Sequence, residues 1–192
     1  MTAAALPGRP PARHRRPPSR SLSPVRLAAC LALCALALLA FTEMSRIREF
    51  EAWLSGLVLT AGTGVPAGSW PGSATVWFAP FPPGQVGLVI TPECTVALLI
   101  IPFLLITAAA VWMRAPLRRP LTALAAAVIL IVGFNQLRLL TVAWFILGMG
   151  TASGFYWGHT LAGSLITVLS LASSLAVYGV VLLRRGSAAP AR

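Results

Sequence analysis

The chain has 192 residues and a formal net charge of +11, with 57% hydrophobic residues and only 10% charged ones. A soluble domain carries about 25% charged residues, so the composition excludes an ordinary soluble enzyme. Every basic residue is Arg, and most fall in three short stretches between apolar runs, the pattern of positive cytoplasmic loops, so no nucleic-acid partner is expected.

Residues 1–24 are mostly Pro, Arg, Ala and Ser. They cannot bury a core and are expected to form a disordered basic cytoplasmic tail, in contact at most with membrane lipid headgroups. An apolar run follows over 27–42. Val25, Arg26 and Met44 extend it to a first span of about 25–44 if Arg26 snorkels to the interface. No small-x-small cleavage site follows Phe41, so a retained anchor is expected rather than a cleaved signal peptide. Cys30 and Cys34 lie four apart on one helix face and read as small packing residues. No CxxC pair or His-rich spacing occurs, so neither a disulfide framework nor a metal is expected, and no cofactor is.

Residues 43–92 form the only sizeable segment between spans. Ile47, Phe50, Leu54, Leu57 and Val58 recur at helical spacing and predict an amphipathic helix lying on the outer interface. The Gly- and Pro-containing stretch 62–66 ends it. Two β-prone runs, 73–79 and 85–90, flank Phe81, Pro82, Pro83 and Gly84, which suits either a short hairpin over the membrane end or a loop.

Three further uncharged runs, 94–113, 121–137 and 160–183, hold 20, 17 and 24 residues, against the roughly 17–25 needed to cross a bilayer. They predict spans of about 93–113, 120–137 and 159–183. Arg114, Arg118 and Arg119 separate two of them, and Arg184, Arg185 and Arg192 follow the last. The expectation is an all-α integral membrane protein of the cell membrane. Four transmembrane helices would lie within residues 25–185, both termini would be cytoplasmic, and 186–192 would be a short tail. Residues 139–158 fit this scheme poorly. A single helix over 121–147 would be about 40 Å long at 1.5 Å per residue, against a ~30 Å hydrocarbon core. An additional crossing would put Arg184 and Arg185 outside. An interfacial or re-entrant segment is therefore expected, with Trp144, Tyr156 and Trp157 in the headgroup belt.

The same topology puts three chemically distinctive residues at the outer ends of spans. Cys94 follows Thr91, Pro92 and Glu93, a good N-terminal sequence, so the thiol is expected at the third helical position, where the helix dipole favours a thiolate. Arg138 follows Asn135, Gln136 and Leu137 at the end of the third span. A cation is favoured at a helix C-terminus, and a guanidinium holds a carboxylate or an oxyanion but cannot act as a base. His159 follows Gly158 at the start of the last span, where the dipole disfavours imidazolium and leaves the ring free to accept a proton. Thiol, base and fixed cation are the parts of a nucleophilic acyl-transfer catalyst, and Asn135, one turn before Arg138, is placed to steady the guanidinium or to bind a substrate carbonyl.

The order Cys94, then Asn135-Gln136-Leu137-Arg138, then Gly158-His159, each at a span boundary, resembles the exosortase/archaeosortase family of membrane transpeptidases over roughly residues 85–180. The chain looks like a compact member, lacking the additional N-terminal spans of longer ones. The resemblance implies Cys94 as nucleophile, His159 as general acid/base and Arg138 as the third essential residue. It also implies a substrate, an exported protein bearing a C-terminal tripartite sorting signal of short motif, apolar helix and basic end. Its new C-terminus would pass to a surface acceptor of unknown identity. One departure is that the family's Cys-Ser-Gly stretch is Cys94-Thr95-Val96 here. The competing readings are a non-enzymatic four-helix scaffold or partner-binding protein, a hydrolase using the same residues, and a thiol–disulfide oxidoreductase, which would need a second outer cysteine.

Overall fold

A computed structural model of the protein describes residues 23–81 and 84–183. The expectations for the two tails, for Arg184 and Arg185 and for the Pro82-Pro83 connection lie outside the described residues. The described chain is mostly helical, with three helices long and apolar enough to cross a membrane: α1 (Pro24–Thr42), α4 (Arg118–Met149) and a last helix over Thr151–Leu183. That last helix begins as α5 (Thr151–Phe155), passes through a π-helical segment (Tyr156–Ala162) and continues as α6 (Gly163–Leu183). Helix α3 (Val96–Trp112) is equally apolar but has 17 residues.

These helices form two apolar clusters. Cys30, Leu33 and Ala37 of α1 pack on Leu104, Ala108 and Val111 of α3. Val96 and Phe103 of α3 pack on Ala123, Ala127 and Ile131 of α4 and on Tyr178 of α6. The Tyr178 hydroxyl is 2.9 Å from Thr107 Oγ1, so the buried phenol has its polar partner within the bundle. Cys30 donates to the Ala108 carbonyl at 3.4 Å, while Cys34 is exposed.

A third cluster covers one end of the bundle. It is built by α2 (Met44–Thr63), by an antiparallel sheet of β1 (Ala67–Ser69), β2 (Thr75–Phe81) and β3 (Gly84–Val89) in that order, and by the last turns of α4. Ala52 and Leu59, Val76, Phe78, Leu88 and Ile90, and Val142, Ala143 and Ile146 meet there. The two β-prone runs do pair as a hairpin, Thr75 opposite Val89 and Phe78 opposite Val86; strand β1 adds a short third strand that has no sequence signal of its own.

Helix α2 forms and ends at Gly64 as the sequence suggests, and Phe50 and Leu57 of its apolar stripe are exposed. The packed face is Glu51, Ala52, Ser55, Gly56 and Leu59. Small residues win that face because the sheet lies against it: a Cβ on Gly56 would stand 2.7 Å from Gly68 Cα. One expectation is corrected here: residues 139–158 do not form a segment separate from the apolar helices. Helix α4 runs unbroken for 32 residues, about 48 Å, and turns at Gly150, where φ is 80°. Val142, Ala143 and Ile146 in its last turns are buried beneath α2 and the sheet.

The returning helix approaches α4 closely through glycine. A Cβ on Gly154 would collide with the Phe145 carbonyl oxygen and Ile146 Cα, and one on Gly158 would stand 2.9 Å from Val142 Cα. Gly154→Ala is therefore expected to destabilise the protein by about 1–3 kcal/mol through overpacking. Gly148→Ala meets nothing within 4 Å and is expected to gain about 0.5–1 kcal/mol of helix propensity. Thermal melting of the two detergent-solubilised variants, read against the parent, checks both signs.

Candidate active site

Cys94, Arg138 and His159 come together where the sheet-covered end meets the bundle. Arg138 Nη2 lies 3.4 Å from Cys94 Sγ and 3.1 Å from His159 Nε2, and Sγ is 3.7 Å from Nε2. All three side chains are partly buried. Arginine has donors only, so the Nε2 that it contacts is the acceptor and the ring proton sits on Nδ1. The imidazole stacks on Phe155, centroids 4.8 Å apart and planes 10° from parallel. That contact and the π-helical segment fix which way the ring faces.

Cys94 is the third residue of a short 3-10 helix, Pro92–Cys94, with Thr91 at its N-cap, Pro92 first and Glu93 in its turn, as the sequence suggests, and its N–H bonds the Thr91 carbonyl at 2.9 Å. The N-cap of α3 is Thr95, whose hydroxyl accepts from Ala97 N. Arg138 lies about three turns before the end of α4, and His159 lies two turns into the helix that opens at Thr151. The C-terminal and N-terminal dipole arguments therefore do not act at these two residues; direct contact does.

Cys94 and Arg138 are both anchored to one turn of α2. Glu51, 3% exposed, accepts through Oε1 from Thr95 Oγ1 at 2.6 Å and from Val96 N at 3.0 Å. A carboxylate from another helix thus completes the cap of α3 beside the cysteine. One turn on, Ser55 Oγ reaches the Glu51 carbonyl at 2.7 Å and Gln136 Oε1 at 2.9 Å, tying α4 to the same place. Neither Glu51 nor Ser55 stands out in the sequence, because their partners lie 44 and 81 residues away. The one available signal was a Glu on the small-residue face of α2.

Burial pushes the Glu51 carboxyl above its ordinary pKa, against the opposing pull of the Thr95 hydroxyl, the Val96 N–H and the Arg48 charge. A raised carboxyl stabilises the fold most below its unfolded pKa, and that contribution is lost as pH rises through the folded value. Glu51→Gln keeps an acceptor for Thr95 and Val96 and removes the buried charge. Its melting temperature relative to the parent is expected to rise as pH climbs above the ordinary carboxylate range. Glu51→Ala leaves both donors unpaired and is expected to lose about 1–3 kcal/mol.

Two cavities share Cys94, Asn135 and Arg138. One, of about 250 Å³, descends between α3, α4 and α6 past Leu98, Ile131, Phe134, Ile166 and Ser170. The other, of about 160 Å³, opens toward Leu88, Val89, Ile90 and Thr91 and contains His159. Asn135, which lines both cavities, keeps its Nδ2 buried with no hydrogen-bond partner among the described residues. The arrangement is chemically able to hold a carbonyl, deprotonate a thiol and stabilise the negative charge that follows. Comparison of the chain with protein-family models, with curated proteins and with solved structures finds no match.

Proposed function

We propose that the protein is a membrane-embedded cysteine transpeptidase that cleaves the C-terminal sorting signal of exported proteins. The observation that carries this reading is the meeting of thiol, imidazole and guanidinium within 3.7 Å, contributed by three elements far apart in sequence. These are the residues on which the resemblance to exosortases rests. In the proposed topology α1, α3, α4 and α6 cross the cell membrane, and the Arg114–Arg119 region and both termini face the cytoplasm. The exposed stripe of α2 rests on the outer interface, and the site opens at the outer boundary.

The substrate's apolar tail lies against the bundle and brings the scissile carbonyl to Cys94. His159 Nε2 takes the thiol proton as Sγ bonds to the carbonyl carbon. The Arg138 nitrogen already spans both acceptors, so it moves from Nε2 to the sulfur, and then to the oxyanion, with little displacement. Asn135 Nδ2 supplies a second donor to that oxygen. As the intermediate collapses the C–N bond breaks, His159 passes its proton to the leaving amine, and a thioester remains on Cys94. An acceptor amine then attacks the thioester, gives a proton to His159 and forms a new amide. Cys94 leaves as thiolate and recovers that proton.

Processing is tested in cells deleted for the gene. Membranes should accumulate exported proteins that still carry a C-terminal apolar helix and basic end, and the restored gene should clear them. The mass of the new C-terminus then separates transfer to an amine from hydrolysis. Deletion without any such accumulation overturns the proposal and leaves a partner-binding membrane protein.

A further inference from the structure

Strand β3 leads straight into the cysteine turn and is an edge strand: its one neighbour among the described residues is β2. Ile90 N bonds the Ala74 carbonyl at 2.8 Å. Backbone groups alternate along a strand, so Leu88 and Val86, opposite Val76 and Phe78, also face β2. The N–H and C=O of Gly87 and Val89 consequently face the free edge. Side chains follow the same alternation, with Leu88 buried and Val89 64% exposed.

This edge borders a groove. A cavity of about 420 Å³ is lined by Val86, Gly87, Leu88 and Val89 on one side and by Ile146, Thr151 and Phe155 on the other. Gly87 has no side chain, so main chain itself lines that wall. The cavity shares Leu88, Val89, Thr91 and Phe155 with the one holding Cys94, Arg138 and His159. The unpaired edge and the sulfur therefore line adjoining cavities.

We propose that β3 is the docking edge for the substrate, whose extended segment just upstream of the scissile bond adds to the sheet alongside it. The inference rests on the transpeptidase reading of Cys94. Its direction follows from chemistry: the apolar tail comes after the scissile bond and stays with the bundle, so the preceding residues run along the sheet toward Cys94. Strand β3 also runs toward Cys94, so the added strand is parallel to it. Recognition by main chain gives affinity through the edge amides, and alternate side chains meet Ile146 and Phe155. An edge strand left open is an aggregation hazard; a groove wall that admits an extended chain gives this one a use.

The test needs no identified substrate. The full chain is purified in detergent with Cys30 and Cys34 replaced by Ala, so that Cys94 is the sole thiol of the three. Labelling is followed by intact mass, using acetyl-tripeptide vinyl sulfones with Ala, Leu or Thr at each position, and methyl vinyl sulfone as the backbone-free reference. The thiolate adds to the vinyl carbon β to the sulfone, and the carbon next to the sulfone takes up the proton. The peptide probes are expected to label Cys94 about tenfold faster or more, the effect of one or two main-chain hydrogen bonds. Val89→Pro removes an edge N–H without touching the β2 ladder, and should erase that advantage, read as the ratio of peptide to methyl vinyl sulfone rates within the same variant. Should Val89→Pro disturb the fold, probes N-methylated at successive amides decide the matter on the parent protein, where alternate positions should lose the advantage. Peptide probes no faster than the reference, or indifferent to both changes, overturn strand addition and leave the cysteine enzyme standing. A Cys94 that resists every reagent overturns the enzyme reading itself.

Discussion

Replacing Cys94 with alanine is expected to abolish removal of the substrate's apolar tail, by about four or more orders of magnitude in rate, while the protein stays in the membrane at its normal level. The loss should be near total because no second thiol lines the site. Cys30 is buried between α1 and α3 with its thiol on the Ala108 carbonyl, and Cys34 faces outward on α1. Neither lines the cavities around Arg138 and His159. The fold should survive, since the cysteine lies in a short turn whose geometry is held by the Thr91 carbonyl and, one residue on, by Glu51. His159→Ala should be less complete, about 10²–10⁴-fold, because a general base is removed while the nucleophile remains. Precursor and product masses in membranes from each strain give the comparison. Undiminished processing with Cys94→Ala removes the enzyme and returns the partner-binding reading.

The same residues show what the sequence could and could not reveal. Hydropathy and the spacing of arginines found the apolar helices, since burial in lipid demands long uncharged runs. The candidate triad was legible because Cys94, Arg138 and His159 are out of place at such runs. The helix ends were not legible. A helix over 121–147 looked too long for one membrane span, but the end of α4 is taken up by contacts between Val142, Ala143 and Ile146 and a sheet contributed by residues 67–89. Those contacts are tertiary and leave no local signature. The same holds for Glu51, whose carboxyl completes a helix 44 residues downstream. The α2 stripe marked a face that avoids water, but it carried no signal for the face that packs on protein. The packed face was the small one, chosen by the approach of Gly68 to Gly56.

Arg138 gives the other large effect, and lysine tells its two possible roles apart. As an interfacial anchor it would need only charge and length, and Arg138→Lys would process substrate normally. As an oxyanion and thiolate donor it needs one nitrogen within reach of both Sγ, at 3.4 Å, and Nε2, at 3.1 Å. Its side chain passes close over the last helix, with Nε 3.1 Å from where a Cβ on Gly163 would stand. Lysine is shorter, binds water more strongly and carries its donors on a single nitrogen instead of a planar fork. Removing one such donor from an oxyanion site costs about 10²–10³ in rate. Arg138→Ala is expected to fall by at least that much, and Arg138→Lys by nearly as much. Vinyl sulfone labelling adds an independent readout, because it needs the thiolate but builds no carbonyl oxyanion. If Arg138 acts chiefly on the oxyanion, Arg138→Lys should lose more in substrate cleavage than in labelling of Cys94. Equal losses would assign it to the thiolate instead, and no loss in either would leave Cys94 and His159 to act without it.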